Sequence, residues 1–118
     1  MYSELVLDHF RNPRNAGELP PPALAVSVTN PACGDLLRLS VRFEDGAVAE
    51  ARFLARGCTA SIAAASALTV WLQGKTRAEL AVIAPATVEE ALGGLPAESR
   101  HAAVLAVDAV RALLARYH

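Results

Sequence analysis

Leu37-Arg38-Leu39-Ser40-Val41-Arg42-Phe43-Glu44-Asp45-Gly46-Ala47-Val48 is the stretch that decides the fold of this chain. Leu37, Leu39, Val41 and Phe43 alternate with Arg38, Ser40 and Arg42, the two-residue period of a strand with one buried face. Asp45-Gly46 tolerates the left-handed conformations of a two-residue hairpin turn, so the segment from Val48 to Arg56 returns as the antiparallel partner. Glu44 then faces Ala47 and Phe43 faces Val48, and residue numbers that face one another share one sum. Positions 33 and 58 share it too, and they hold the two cysteines of the chain, Cys33 and Cys58. The turn therefore predicts a single site containing both thiols.

Working outward, Leu24, Val26 and Val28 alternate as a third strand. Tyr2, Leu5, Val6 and Phe10 recur at helical spacing until Asn12-Pro13 stops them, which predicts a short amphipathic helix with these residues on its docked face. From Asn12 to Pro22 four prolines and a glycine predict a connecting loop, free to move. After the hairpin, Thr59 or Ser61 can cap a helix through Ile62, Leu68 and Trp71 that ends at Gly74. Two short helices follow, opened by the capping-box patterns Thr76 with Glu79 and Thr87 with Glu90, the second closed by Gly93-Gly94. The last helix begins near Ser99 and buries Ala103, Val107, Val110, Leu114 and Tyr117, leaving Asp108 and Arg111 as a solvated pair.

At 118 residues, 53% apolar and only 5% aromatic, with alanine, valine and leucine dominant, the chain predicts one domain whose helices pack closely on a small sheet. A formal charge of -1 gives no electrostatic reason to expect nucleic acid or an anionic membrane as partner. No stretch reads as a secretory leader or a bilayer span, which leaves the cytoplasm as the expected compartment. There, two neighbouring thiols are ligands or redox centres before they are a structural disulfide.

The cysteines sit in Pro31-Ala32-Cys33-Gly34-Asp35 and Arg56-Gly57-Cys58-Thr59. The glycines let backbone approach a bulky ion, and an acid stands two residues from one thiol. The positive end of the following helix and Arg56 favour the thiolate at Cys58, which makes it the readier ligand. His101, in the first turn of the last helix, can project toward the same sheet end. Plainer readings stand beside these: the cysteines as small buried hydrophobes, Asp35 as a turn residue, and His101 as an ordinary helix-start residue. His9 and His118 read as solvated or packing residues, Tyr2, Phe10 and Trp71 as core aromatics, and Arg11 and Arg14 as solvated or facing an acidic partner.

These residues, taken in order with Tyr2-Ser3, Asp8-His9-Phe10, Asn12-Pro13-Arg14-Asn15-Ala16-Gly17, Ala32-Cys33-Gly34-Asp35, Gly57-Cys58-Thr59-Ala60-Ser61, Trp71 and Gly74-Lys75, give a chain that closely resembles the U-type iron-sulfur cluster scaffold family, the IscU-like and NifU N-terminal group. The resemblance spans nearly the whole length. It implies an α/β (α+β) fold over residues 1–118, a compact two-layer, SufE/NifU-like domain with a three-stranded antiparallel sheet and helices packed on it. It also implies a non-catalytic scaffold or carrier that takes sulfur from a cysteine desulfurase, binds iron, builds a [2Fe-2S] cluster and passes it to acceptor apoproteins. Carried over position by position, its ligands fall on Cys33, Asp35, Cys58 and His101.

The family's third cysteine should directly follow that histidine, where this chain has Ala102. Two thiolates, a carboxylate and an imidazole remain, four donors that suit tetrahedral zinc or a cluster with mixed ligands. Leu95-Pro96-Ala97-Glu98-Ser99 matches only the first two residues of the Leu-Pro-Pro-Val-Lys segment of the IscU-like branch, so docking of a dedicated chaperone does not follow from it. Two alternatives stay open: a zinc-bound sulfur-transfer or regulatory partner of a desulfurase, and a thiol enzyme with Cys58 as nucleophile, His101 as base and Asp35 as orienting acid.

Overall fold

The computed structural model describes residues 1–31 and 34–117. Helix α1 (Glu4–Arg11) leads to a three-stranded antiparallel sheet of β1 (Leu24–Asn30), β2 (Asp35–Glu44) and β3 (Ala47–Arg56), in the order β1-β2-β3. Four further helices follow, α2 (Thr59–Leu72), α3 (Arg77–Ala81), α4 (Pro85–Ala91) and α5 (His101–Arg116), the last preceded by a 3-10 turn at Ala97–Ser99. Helices α2 and α5 cover one face of the sheet, and α1 and α4 pack on those helices rather than on the strands. Among the described residues no helix is long and apolar enough to cross a membrane.

The alternation read from the sequence sets the two sheet faces. Leu37, Leu39 and Val41 are buried against α2 and α5 with Val26, Ala51 and Phe53. Asp45 and Gly46 both take positive φ at the turn, 54° and 80°, as the hairpin requires. The register, however, slips by one residue at a bulge between Arg42 and Phe43. Phe43 faces Val48 as predicted, but beyond the bulge Leu36 faces Arg56, one residue out of step with a simple reflection about the turn. Cys58 lies beyond the end of β3 at Arg56 and occupies the N-cap of α2, where Thr59 or Ser61 was expected. Cys33 lies outside the described residues, as does His118.

Helix α2 is buried almost all round, with Ala60, Ala63, Ala64, Ala65 and Ala67 each at most 3% exposed. Small side chains let it approach the sheet, α1 and α5 at once, which is where the alanine-rich composition is used. The capping box of α3 forms as predicted, Thr76 accepting from the Glu79 backbone N–H while Glu79 accepts from that of Thr76. Helix α4 begins earlier than the Thr87 pattern predicts, because Pro85 is preset for a first helical position and Thr87 Oγ1 accepts from the Ala84 N–H. In α5, Ala103, Val107 and Val110 are buried and Asp108 and Arg111 are exposed, as read. Tyr117 stacks flat on Phe43, ring centres 3.8 Å apart.

The N-terminal segment departs most from expectation. Of the predicted apolar face of α1, only Val6 is fully buried, whereas Leu5 and Phe10 are 48% and 39% exposed. His9 is buried instead, its Nδ1 2.8 Å from Ser66 Oγ on α2. The same hydroxyl accepts the backbone N–H of Arg14 at 2.8 Å, leaving its proton for Nδ1 of a neutral His9. The loop after α1 is not loose. Asn15 C=O accepts from Phe53 N–H at 3.0 Å, Phe53 C=O accepts from Gly17 N–H at 2.8 Å, and Ser40 Oγ accepts from Leu19 N–H at 3.1 Å, so the loop lies along the edge and outer face of the sheet. Arg14 is not simply solvated either: its guanidinium pairs with Asp8 at 2.5 Å and holds that carboxyl below the usual carboxylate range.

Burial first, and then the Arg14 charge, lower the His9 pKa from the ordinary 6.5. Below 6.5 the unfolded chain takes up a proton that the folded chain resists, so this residue's contribution to stability falls as the pH drops toward the lower folded value. Denaturant midpoints measured across this window should decline with acid in the natural chain and decline less in His9→Gln. Equal slopes in the two proteins would show that His9 is not held neutral.

Candidate metal centre

Three sequence-distant segments converge at the end of the sheet away from the Asp45-Gly46 turn. Asp35 is the first residue of β2, Cys58 caps α2 directly after β3, and His101 is the first residue of α5. Gly34, at φ +73° and with its N–H bonded to Asn30 C=O at 2.7 Å, turns the chain into Asp35. The 3-10 turn before α5 aims His101 at the same corner. One oxygen of Asp35, Oδ2, is the hub: it lies 3.3 Å from His101 Nε2 and 3.6 Å from Cys58 Sγ, while Cys58 Sγ lies 3.7 Å from His101 Nε2.

Asp35 is 3% exposed, unusually deep for a carboxylate. Gly57 makes that depth possible. At φ +152° its backbone lies against the carboxylate, and a Cβ there would sit 2.6 Å from Asp35 Cγ. The sequence assigned this glycine to the approach of an ion, but it is the aspartate that takes the space. Ser61, one turn into α2 and itself buried, donates its hydroxyl to Asp35 Oδ2 and lies 3.4 Å from Cys58 Sγ. Sequence reasoning offered Ser61 only as a helix cap. Its spacing of three from Cys58, which puts both on one helix face, was the available signal.

Asp35 Oδ2, Cys58 Sγ and His101 Nε2 form a cluster with metal-ligand chemistry, all three donors lying within 4.8 Å of one another. A tetrahedral zinc site, with about 2.3 Å to sulfur and about 2.0 Å to nitrogen and oxygen, separates its donors by about 3.3 to 3.6 Å. The three observed edges of 3.3, 3.6 and 3.7 Å lie close to that spacing, the longest about 0.1 Å beyond it. The residues present therefore fit a tetrahedral metal, with a fourth position left for a further donor. Cys33, two residues before Asp35, is the sequence's choice for that position, and it lies outside the described residues.

The same geometry counts against a thiol enzyme. A nucleophile, base and orienting acid need the imidazole to face sulfur with one nitrogen and the carboxylate with the other. Here Nε2 faces both, as a metal ligand would and as a catalytic base oriented by an acid would not. Ala102, beside His101 in the first turn of α5, is 1% exposed.

A family model described as the NifU-like N terminal domain matches residues 1–118. The iron-sulfur cluster assembly scaffold protein IscU 1 of Archaeoglobus fulgidus is 41% identical over 117 residues, 99% of this chain and 76% of the relative. The scaffold protein IscU of Haemophilus influenzae is 39% identical over 120 aligned positions, 98% of this chain and 94% of the relative. Among solved structures, a candidate iron-sulfur cluster assembly scaffold for the SUF system from Fervidobacterium islandicum superposes with a TM-score of 0.76 at 20% identity, covering 96% of each chain, a likeness of fold.

Gly57→Ala is expected to cost about 2 kcal/mol, from a strained φ and from contact with the Asp35 carboxylate. Asp35→Ala removes Cγ and the oxygens, so Gly57→Ala should cost less in that background, as measured by denaturant unfolding of the four proteins. An equal cost in both backgrounds would mean that the two residues do not compete for the same space.

Proposed function

This chain belongs to the NifU-like N-terminal domain family, and we propose that it is a non-catalytic iron-sulfur cluster scaffold or carrier that holds iron or a [2Fe-2S] cluster as cargo and hands it to acceptor apoproteins. The observation that supports the ligand assignment most strongly is the triangle of Asp35, Cys58 and His101, whose edges are those of a tetrahedral site. Cys33 joins them as the second thiolate on the strength of its place in Cys33-Gly34-Asp35. The sulfur comes from a cysteine desulfurase.

Each residue has a separable role. The Cys58 thiolate is the soft, strong donor, 3.7 Å from a His101 nitrogen that binds the same centre. The Asp35 carboxylate is a hard ligand on a soft centre, so it exchanges more readily than a thiolate and gives the cargo a way out. A scaffold needs both: donors firm enough to assemble the cluster and one weak enough to let it go.

A second reading is favoured by Ala102. With a buried methyl group at the place where the resemblance puts a third thiol, the four donors also suit a resident zinc ion in a sulfur-transfer or regulatory partner of a desulfurase. Metal analysis and the visible spectrum of anaerobically isolated protein separate the two. Iron with cluster absorbance supports the scaffold; stoichiometric zinc without it supports the regulator. On the scaffold reading, Ala102→Cys should accept a persulfide from a compatible desulfurase, seen by mass spectrometry, and raise cluster yield.

Cys58→Ala should lower metal content about tenfold or more while leaving the circular dichroism spectrum unchanged, since the side chain makes no helix-cap bond. Asp35→Ala should lengthen the lifetime of a reconstituted cluster and slow its transfer to an apoprotein. Unchanged metal content in the first variant, or an unchanged lifetime in the second, would remove that residue from the ligand set.

A further inference from the structure

We propose that Ser61 is a positioning residue that competes with the bound metal for Asp35, and so sets how readily the carboxylate lets go. The inference rests on the metal-site reading above and goes beyond it by placing control in a residue that is not a ligand. The Ser61 hydroxyl is 3% exposed, lies in the first turn of α2, and donates to Oδ2, the same Asp35 oxygen that faces both His101 Nε2 and Cys58 Sγ. Among the described residues the hydroxyl bonds no backbone group, and its partners there are Asp35 and Cys58.

Ser61 is not alone in confining the carboxylate, because the Gly57 backbone closes one side of it, where an added Cβ would collide with Asp35 Cβ, Cγ and Oδ1. What the serine adds is a hydrogen bond to a charged acceptor in a buried place, the stronger class of such bonds. Binding a metal through Oδ2 requires that bond to be given up or shared. The hydroxyl carries a single proton, and once Oδ2 turns to a metal Cys58 Sγ, at 3.4 Å, is an acceptor within reach among the described residues. Ser61 thus stabilises Asp35 off the metal, and each time the carboxylate leaves, a partner is waiting for it.

Co2+ is the probe, titrated anaerobically into the reduced full-length chain and competed with a chelator. The thiolate-to-cobalt absorption band reports on the Cys58 and Cys33 thiolates together, and the band's decay after chelator addition gives the release rate. Ser61→Ala should bind Co2+ about tenfold tighter and release it correspondingly more slowly, the scale of one shared hydrogen bond to a carboxylate. Ser61→Thr, which keeps the hydroxyl, should return to the natural values. In an Asp35→Ala background, Ser61→Ala should lose the tightening and leave only the smaller effect of the Ser61 contact with Cys58 Sγ. Unaltered or weakened Co2+ binding in Ser61→Ala would overturn the proposal, and so would an effect of equal size with and without Asp35. A natural chain that shows no thiolate-to-cobalt band would instead overturn the metal-site reading itself.

Discussion

A carboxylate buried to 3% exposure is the constraint around which the site end of this molecule is arranged. Isolated, a charge at that depth costs several kcal/mol even after relaxation of its surroundings, so Asp35 must have partners. Among the described residues they include Ser61 from inside α2, Cys58 from its N-cap, and His101 from the start of α5. Helices α2 and α5 both pack on the sheet, and Asp35 is where their N-terminal ends meet the first residue of β2. The positive ends of two helix dipoles face one negative group.

Much of this was legible in the sequence. Strict alternation around Asp45-Gly46 determines the hairpin and its buried face, because a shift of one residue would turn Leu37, Leu39 and Val41 to solvent. The bulge at Arg42 and Phe43 was not legible, since no residue type announces it. Separately, β3 ends at Arg56 and the chain turns at Gly57, so Cys58 reaches the site as a helix cap and not as a strand residue. Asp35 was singled out by standing two residues from Cys33, His101 by its place in the first turn of the last helix, and both by the family resemblance. The metal-like spacing of the three donors required coordinates.

The residues that sequence reasoning misplaced are those whose roles are settled by packing partners. His9 is buried where Leu5 and Phe10 were expected because Ser66 on α2 offers its imidazole a hydrogen bond, a tertiary fact invisible to helical periodicity. The proline-rich segment is pinned by backbone pairing with Phe53 and by Ser40, although its composition reads as loose connection. Ser61 and Gly57 were read through their local chemistry, as a cap and as room for an ion, when each is defined by contact with Asp35 across the fold.

The central claim is that Asp35, Cys58 and His101 bind one metal together. Anomalous scattering from a crystal of the zinc-loaded protein tests it without relying on variants. The account predicts a single peak bonded to Cys58 Sγ at about 2.3 Å and to His101 Nε2 and an Asp35 oxygen at about 2.0 Å. A peak bound to Cys58 while His101 and Asp35 remain paired with each other, or zinc located at another part of the surface, would contradict it.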